Sequence, residues 1–167
     1  MLLLMLFLPF LDKNWLFPKF FLFTGRADYL VGIKALLLVT LCLLTLFGYK
    51  QIEILPILFL VALPEEWFFR AYFQPGLSKV VAAYSSTKYS NAKVQLPAAF
   101  SAHAANIATS VFFMLLHVPA QGLRGLLVFF PSLLFGYVYQ KTNDLILVVL
   151  LHAVSNVIYL GFLYRFF

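Results

Sequence analysis

The chain has 167 residues, 63% of them hydrophobic and 11% charged, with a mean hydropathy of +0.96, whereas soluble domains run at about 45–50% apolar and ~25% charged. A soluble globular fold is therefore excluded, and the chain is an integral membrane protein. Its net charge of +6 comes from 12 basic and 6 acidic residues. The basic residues are scattered through short loops, which fits orientation in a bilayer and argues against a nucleic-acid partner.

At roughly 20 residues per crossing, the length allows an all-α, polytopic transmembrane bundle of about six helices, forming a single integral-membrane domain over residues 1–167. The apolar runs are continuous and Leu-rich, without the alternation of a β-barrel. From Met1 to Phe23 the apolar sequence is interrupted by Pro9, Asp12-Lys13-Asn14 and Pro18, which predicts a broken or interfacial segment. With no basic n-region and no small-x-small cleavage site, it is expected to be retained rather than removed as a signal.

Tyr29 to Gly48 is the first clean span, and it carries Cys42, which has no intrachain disulfide partner. Ile52 to Gln74 follows, with Pro56 and Pro64 as kinks or restarts and Pro75-Gly76 as its end. Leu77 to Pro97 is the most polar stretch and reads as a loop holding at most a short surface helix. Ala98 to Val118 is a helix closed by Pro119, with His103 and Asn106 expected at the interface or as caps. Leu123 to Gln140 and Asp144 to Tyr164 complete the set, and Thr142 or Asn143 is the expected N-cap of the last helix. Alternating spans put Arg26, Lys79, Lys88, Lys93 and Lys141 on one side and Lys50, Arg124 and Arg165 on the other. The positive-inside rule assigns the richer side to the cytoplasm.

The chemistry concentrates in Pro64-Glu65-Glu66-Trp67-Phe68-Phe69-Arg70. A charge at mid-bilayer costs from about 2.5 to more than 10 kcal/mol, so such a cluster reads by default as a functional site. On a helix Glu66 and Arg70 stand four apart and can pair, while Glu65 points about 100° away, toward a cavity. Two later apolar segments each add a polar site, Phe113-x-x-x-His117 and His152-x-x-x-Asn156. At ~1.5 Å per residue, Glu65 lies about 15 Å from the Gln74 end of its helix and His152 about 12–14 Å from the Asn143 end of its own. Those depths match. His117 joins them only if its helix starts nearer Ala105 than Ala98.

Glu65-Glu66-x-x-x-Arg70, Phe113-x-x-x-His117 and His152-x-x-x-Asn156, in this order, resemble the CPBP family of intramembrane endopeptidases, which includes the type II CAAX prenyl protease and bacterial abortive-infection proteins. The resemblance covers residues 63–158 and departs from the usual pattern at Ala71, where many members have glycine. It implies a glutamate-dependent protease in which Glu65 and His117 activate the attacking water. His152 and Asn156 would stabilise the oxyanion, with Glu66 and Arg70 in support. No cofactor is expected, although zinc on Glu65, His117 and His152 is the main mechanistic rival; no His-Glu-x-x-His motif is present.

The expected partners are the lipid bilayer and a membrane-anchored peptide or protein, whether a CAAX-type terminus, a leader peptide or a C-terminal sorting segment. The small size points to a bacterial inner-membrane protein with its site opening toward the cytoplasm. Two other classes compete: a non-catalytic membrane protein that binds or chaperones a partner in the same pocket, and a proton-coupled transporter. The latter lacks the paired half-structures that transporters use.

Overall fold

In the computed structural model, the residues described are 2–15, 18, 28–47, 56–88 and 98–161. Among them every regular element is helical and none is a strand. The chain divides into two units: residues 1–68 with 143–167, and residues 69–142.

In the first unit, α1 (Leu2–Phe7) tightens into a 3-10 turn at Leu8–Leu11. Pro9 ends the regular ladder, and the Asn14 amide donates to Asp12 Oδ1 at 2.9 Å in a side-chain-closed turn. The expected break is thus seen in the first half of the segment; the Lys19–Phe23 half lies outside the described residues. Helix α2 (Asp28–Phe47) is 20 residues long, about 30 Å, the thickness of the hydrocarbon layer.

The next described helix is π-helical over Ile57–Ala62, continues as the α-turn α3 (Leu63–Glu66), and widens again to π-helix over Trp67–Phe73. Pro64 has no N–H to give to an α-ladder, and the i→i+5 pattern before it absorbs that missing donor without a break. Helix α7 (Leu145–Gly161) packs against α2, against Ile57–Ala62 and against α3. The rings of Phe10 and Trp15 close on Trp67, with centroids 5.9 and 5.1 Å away.

The second unit contains α4 (Gln74–Lys88), α5 (Ala98–Gln121), a 3-10 stretch at Gly122–Val128 and α6 (Phe129–Thr142). Pro75-Gly76 does not end the preceding helix as expected. Both residues fall in the first turn of α4, where a missing N–H costs little, and helix replaces most of the polar loop as far as Lys88. Lys93 and the rest of 89–97 lie outside the described residues, as do Arg26, Lys50 and Arg165. Pro119 likewise does not close α5, which runs two residues further to Gln121. The expected helix from Leu123 begins as 3-10 and becomes α-helix only at Phe129.

The continuous helical run Ala98–Thr142 is long and apolar enough to cross a membrane, and Tyr29–Leu44 and Leu145–Leu160 are shorter apolar helices.

Candidate active site

Glu65 and Glu66 lie in the single α-turn between two π-helical stretches, a kind of helix irregularity that recurs at functional sites. Neither carboxylate faces the surroundings: Glu65 is 6% exposed and Glu66 0%. From α7, His152, itself 5% exposed, inserts its ring between them. Its Nδ1 lies 2.8 Å from Glu66 Oε1, and its Nε2 lies 3.7 Å from Glu65 Oε2.

A carboxylate can only accept, so the short contact assigns the Nδ1 proton to His152 and directs Nε2 toward Glu65. At 3.7 Å that second approach is an ion-pair distance, beyond a direct hydrogen bond. The depth match expected for Glu65 and His152 is therefore realised as close approach. Asn156 follows one turn later on α7, half-buried, with no hydrogen-bond partner among the described residues.

His117 belongs to the second unit, on a helix that begins at Ala98 and not near Ala105, so the condition set for its depth match is not met. Its Nδ1 lies 2.8 Å from the Phe113 carbonyl one turn back, and its ring rests on the Phe113 ring with centroids 4.4 Å apart. The carbonyl accepts only, so Nδ1 carries the hydrogen, and in the neutral ring Nε2 is the lone-pair nitrogen. Phe69, Phe73 and Phe112 complete this aromatic wall; Phe69 meets Phe113 edge-on at 4.8 Å.

A family model described as Rce1-like, type II CAAX prenyl endopeptidase Rce1-like, matches residues 47–158. The chain belongs to this family. The matched stretch covers more than half of the 167 residues and contains Glu65, Glu66, Arg70, His117, His152 and Asn156. No curated protein and no solved structure matches the chain. As an Rce1-like CAAX protease it is a membrane-embedded peptide hydrolase, and its apolar helices suit that setting.

Around the Rce1-like motifs the structure adds Gln74, Ser132 and Gly136, which sequence reasoning passed over as partners. Arg70, fully buried in the second unit, donates from Nη1 to Gln74 Oε1 at 3.2 Å and from Nη2 to Ser132 Oγ at 2.7 Å. Its guanidinium carbon sits 5.9 Å from the Phe113 ring centre. Gln74 Nε2 donates onward to the Gly136 carbonyl at 3.2 Å. Asn106, expected at the interface or as a cap, is only 3% exposed and donates to the Leu133 carbonyl at 3.0 Å. This corrects that expectation: in a dry helix pair a side-chain amide is held by the backbone of its neighbour. His103 is exposed and lies near-parallel to Tyr137 at 6.5 Å.

Two glycines have a visible reason. A Cβ on Gly125 would stand 2.8 Å from the His117 carbonyl carbon and the Val118 nitrogen, so the 3-10 stretch rests directly on the α5 backbone at the histidine. A Cβ on Gly136 would stand 1.8 Å from Asn106 Oδ1 and 2.8 Å from Gln74 Oε1. Among the described residues no group of three or more His, Cys, Asp or Glu is arranged to hold a metal ion.

Proposed function

We propose that this Rce1-like protein hydrolyses a peptide bond of a membrane-anchored substrate with Glu65 as general base. The observation that carries the reading is the buried Glu65–His152–Glu66 cluster, in which one imidazole is shared between two carboxylates inside an apolar bundle. Glu65 takes a proton from water as the water oxygen attacks the scissile carbonyl. The charge that develops on the carbonyl oxygen is met by His152 Nε2–H and by the Asn156 amide, in the manner of an oxyanion hole. When the tetrahedral species collapses, protonated Glu65 passes its proton to the leaving amine, so no proton is gained or lost by the enzyme.

The family resemblance alone assigns His117, through Nε2, to the attacking water as well, since its helix begins at Ala98 and the depth argument made for Glu65 and His152 does not extend to it. Glu66 holds the His152 ring by Nδ1, and Arg70 anchors the helix that carries the acidic pair. The reaction in this form uses only side chains and water. The whole chain acts as one polytopic domain of about six helices, with its opening on the cytoplasmic face of a bacterial inner membrane. The family supports a CAAX-type terminus as substrate class, and a leader peptide or a sorting segment presents the same extended backbone.

The direct trial places purified protein in lipid nanodiscs with a farnesylated CAAX peptide and follows the C-terminal tripeptide by mass spectrometry. Release of the tripeptide, lost in His152→Ala, is the expected result. Unchanged release by His152→Ala would remove the histidine from the chemistry.

A further inference from the structure

Lys34 stands in the second turn of α2, where nothing in its own helix marks it as different from a lipid-facing cation, yet it is 0% exposed. Its Nζ lies 2.8 Å from Asp144 Oδ2, and the two side chains are 1% and 3% exposed. Asp144 is engaged twice. Its other oxygen, Oδ1, accepts the backbone N–H of Leu147 at 3.1 Å, which makes it the N-cap of α7. A buried carboxylate held by a cation on one oxygen and by a helix amide on the other has no freedom to slide. Removing either partner of such a pair leaves an uncompensated charge in a low-dielectric interior.

The other end of the constraint is the site itself. His152 lies eight residues beyond Asp144 on the same unbroken helix, about 12 Å along the axis. There its ring must meet Glu66 at 2.8 Å and stand 3.7 Å from Glu65. A rigid helix pinned at Asp144 fixes the height at which His152 arrives.

We infer that Lys34 and Asp144 are positioning residues for the reaction: their ion pair locks the axial register of α7 on α2 and thereby sets the His152 imidazole between Glu65 and Glu66. Neither residue touches the reacting atoms in this assignment. Lys34 lies outside the stretch matched to the family, and the pair joins residues 110 apart in the sequence. The catalytic consequence rests on the protease reading given above, whereas the register does not.

The test uses a double variant that keeps the cap and removes both charges, Lys34→Met with Asp144→Asn, because Lys34→Met alone leaves a buried carboxylate and can fail to fold. The chain has three histidines, so 15N-histidine NMR of the full-length protein in nanodiscs resolves each ring. In the folded double variant the His152 nitrogen resonances are expected to move while those of His103 and His117 stay. With the farnesylated peptide, kcat should fall ~10-fold or more and KM stay within ~3-fold, as expected for a catalytic group misplaced by about an ångström.

His152 resonances unmoved in the folded double variant would overturn the inference, with or without an active wild type, as would an unchanged kcat. Moved His152 resonances in a protein whose wild type cleaves no peptide would uphold the register and count against the protease reading instead.

Discussion

His152 Nδ1 lies 2.8 Å from Glu66 Oε1 with both side chains buried, and this contact leaves Nε2 as the ring nitrogen turned toward Glu65. A Gln at position 66 keeps an acceptor but not the charge; an Ala keeps neither. Glu66→Ala is expected to lower turnover by roughly 10²-fold, the scale of lost orientation of a catalytic group, with Glu66→Gln between it and wild type. Peptide cleavage rates per folded protein, ranked in that order, are the check. Equal rates for Ala and Gln would mean that the acceptor plays no part.

Gly125 supports His117 by direct backbone contact. Gly125→Ala drives a methyl to 2.8 Å of the His117–Val118 peptide, and backbone cannot yield as a flexible side chain can. Overpacking of this kind costs about 1–3 kcal/mol, read as a lower thermal midpoint in detergent, together with a shifted His117 resonance. Gly32 is the control: it lies in α2 with nothing within 4 Å of an added Cβ, so Gly32→Ala should hold or raise the midpoint by the ~0.5–1 kcal/mol of helix propensity.

Arg70 is held at two separated acceptors and against a ring. A Lys offers one compact ammonium and cannot reproduce that fan. Arg70→Lys is expected to lose one of the two hydrogen bonds, a loss of about 1.5–3 kcal/mol for a charged donor. Thermal unfolding should report it; a midpoint equal to wild type would show that the Gln74 and Ser132 contacts contribute nothing.

Gly136 lies where the Asn106 and Gln74 side chains converge. Gly136→Ala meets Asn106 Oδ1 at 1.8 Å, so the amide must leave its bond to Leu133. Pairing it with Asn106→Ala removes the nearer clash and leaves only the flexible end of Gln74, 2.8 Å from the added Cβ, to give way. The double variant is expected to be more stable than Gly136→Ala alone, and a strictly additive double-mutant cycle would contradict the contact.

The buried Glu65, Glu66, Arg70 and His152 are legible in the sequence as a candidate site because an ionisable group in an apolar run is costly, and each stands out against the hydrocarbon-compatible background. So does α2, whose clean Leu-rich span is reproduced within a residue at each end. Helix ends at proline are not legible in the same way. Pro75 and Pro119 are normally stops, but a π-helical stretch before one and two further residues of helix after the other accommodate them. The sequence pattern puts the N-cap of α7 at Thr142 or Asn143, whereas Asp144 makes the capping bond and Asn143 takes φ 51°, a left-handed value that asparagine tolerates. Lys34 and Asn106 were invisible as buried residues, because their partners, Asp144 and the Leu133 carbonyl, lie on other helices and no local periodicity announces them.

The base assigned to Glu65 is reached most directly by replacing that one carboxylate with its neutral isostere. Glu65→Gln, matched to wild type in thermal midpoint and assayed on the farnesylated peptide in nanodiscs, should lose at least ~10²–10⁴-fold in kcat, the usual contribution of a general base. Turnover by a folded Glu65→Gln protein within a few-fold of wild type would contradict the assignment.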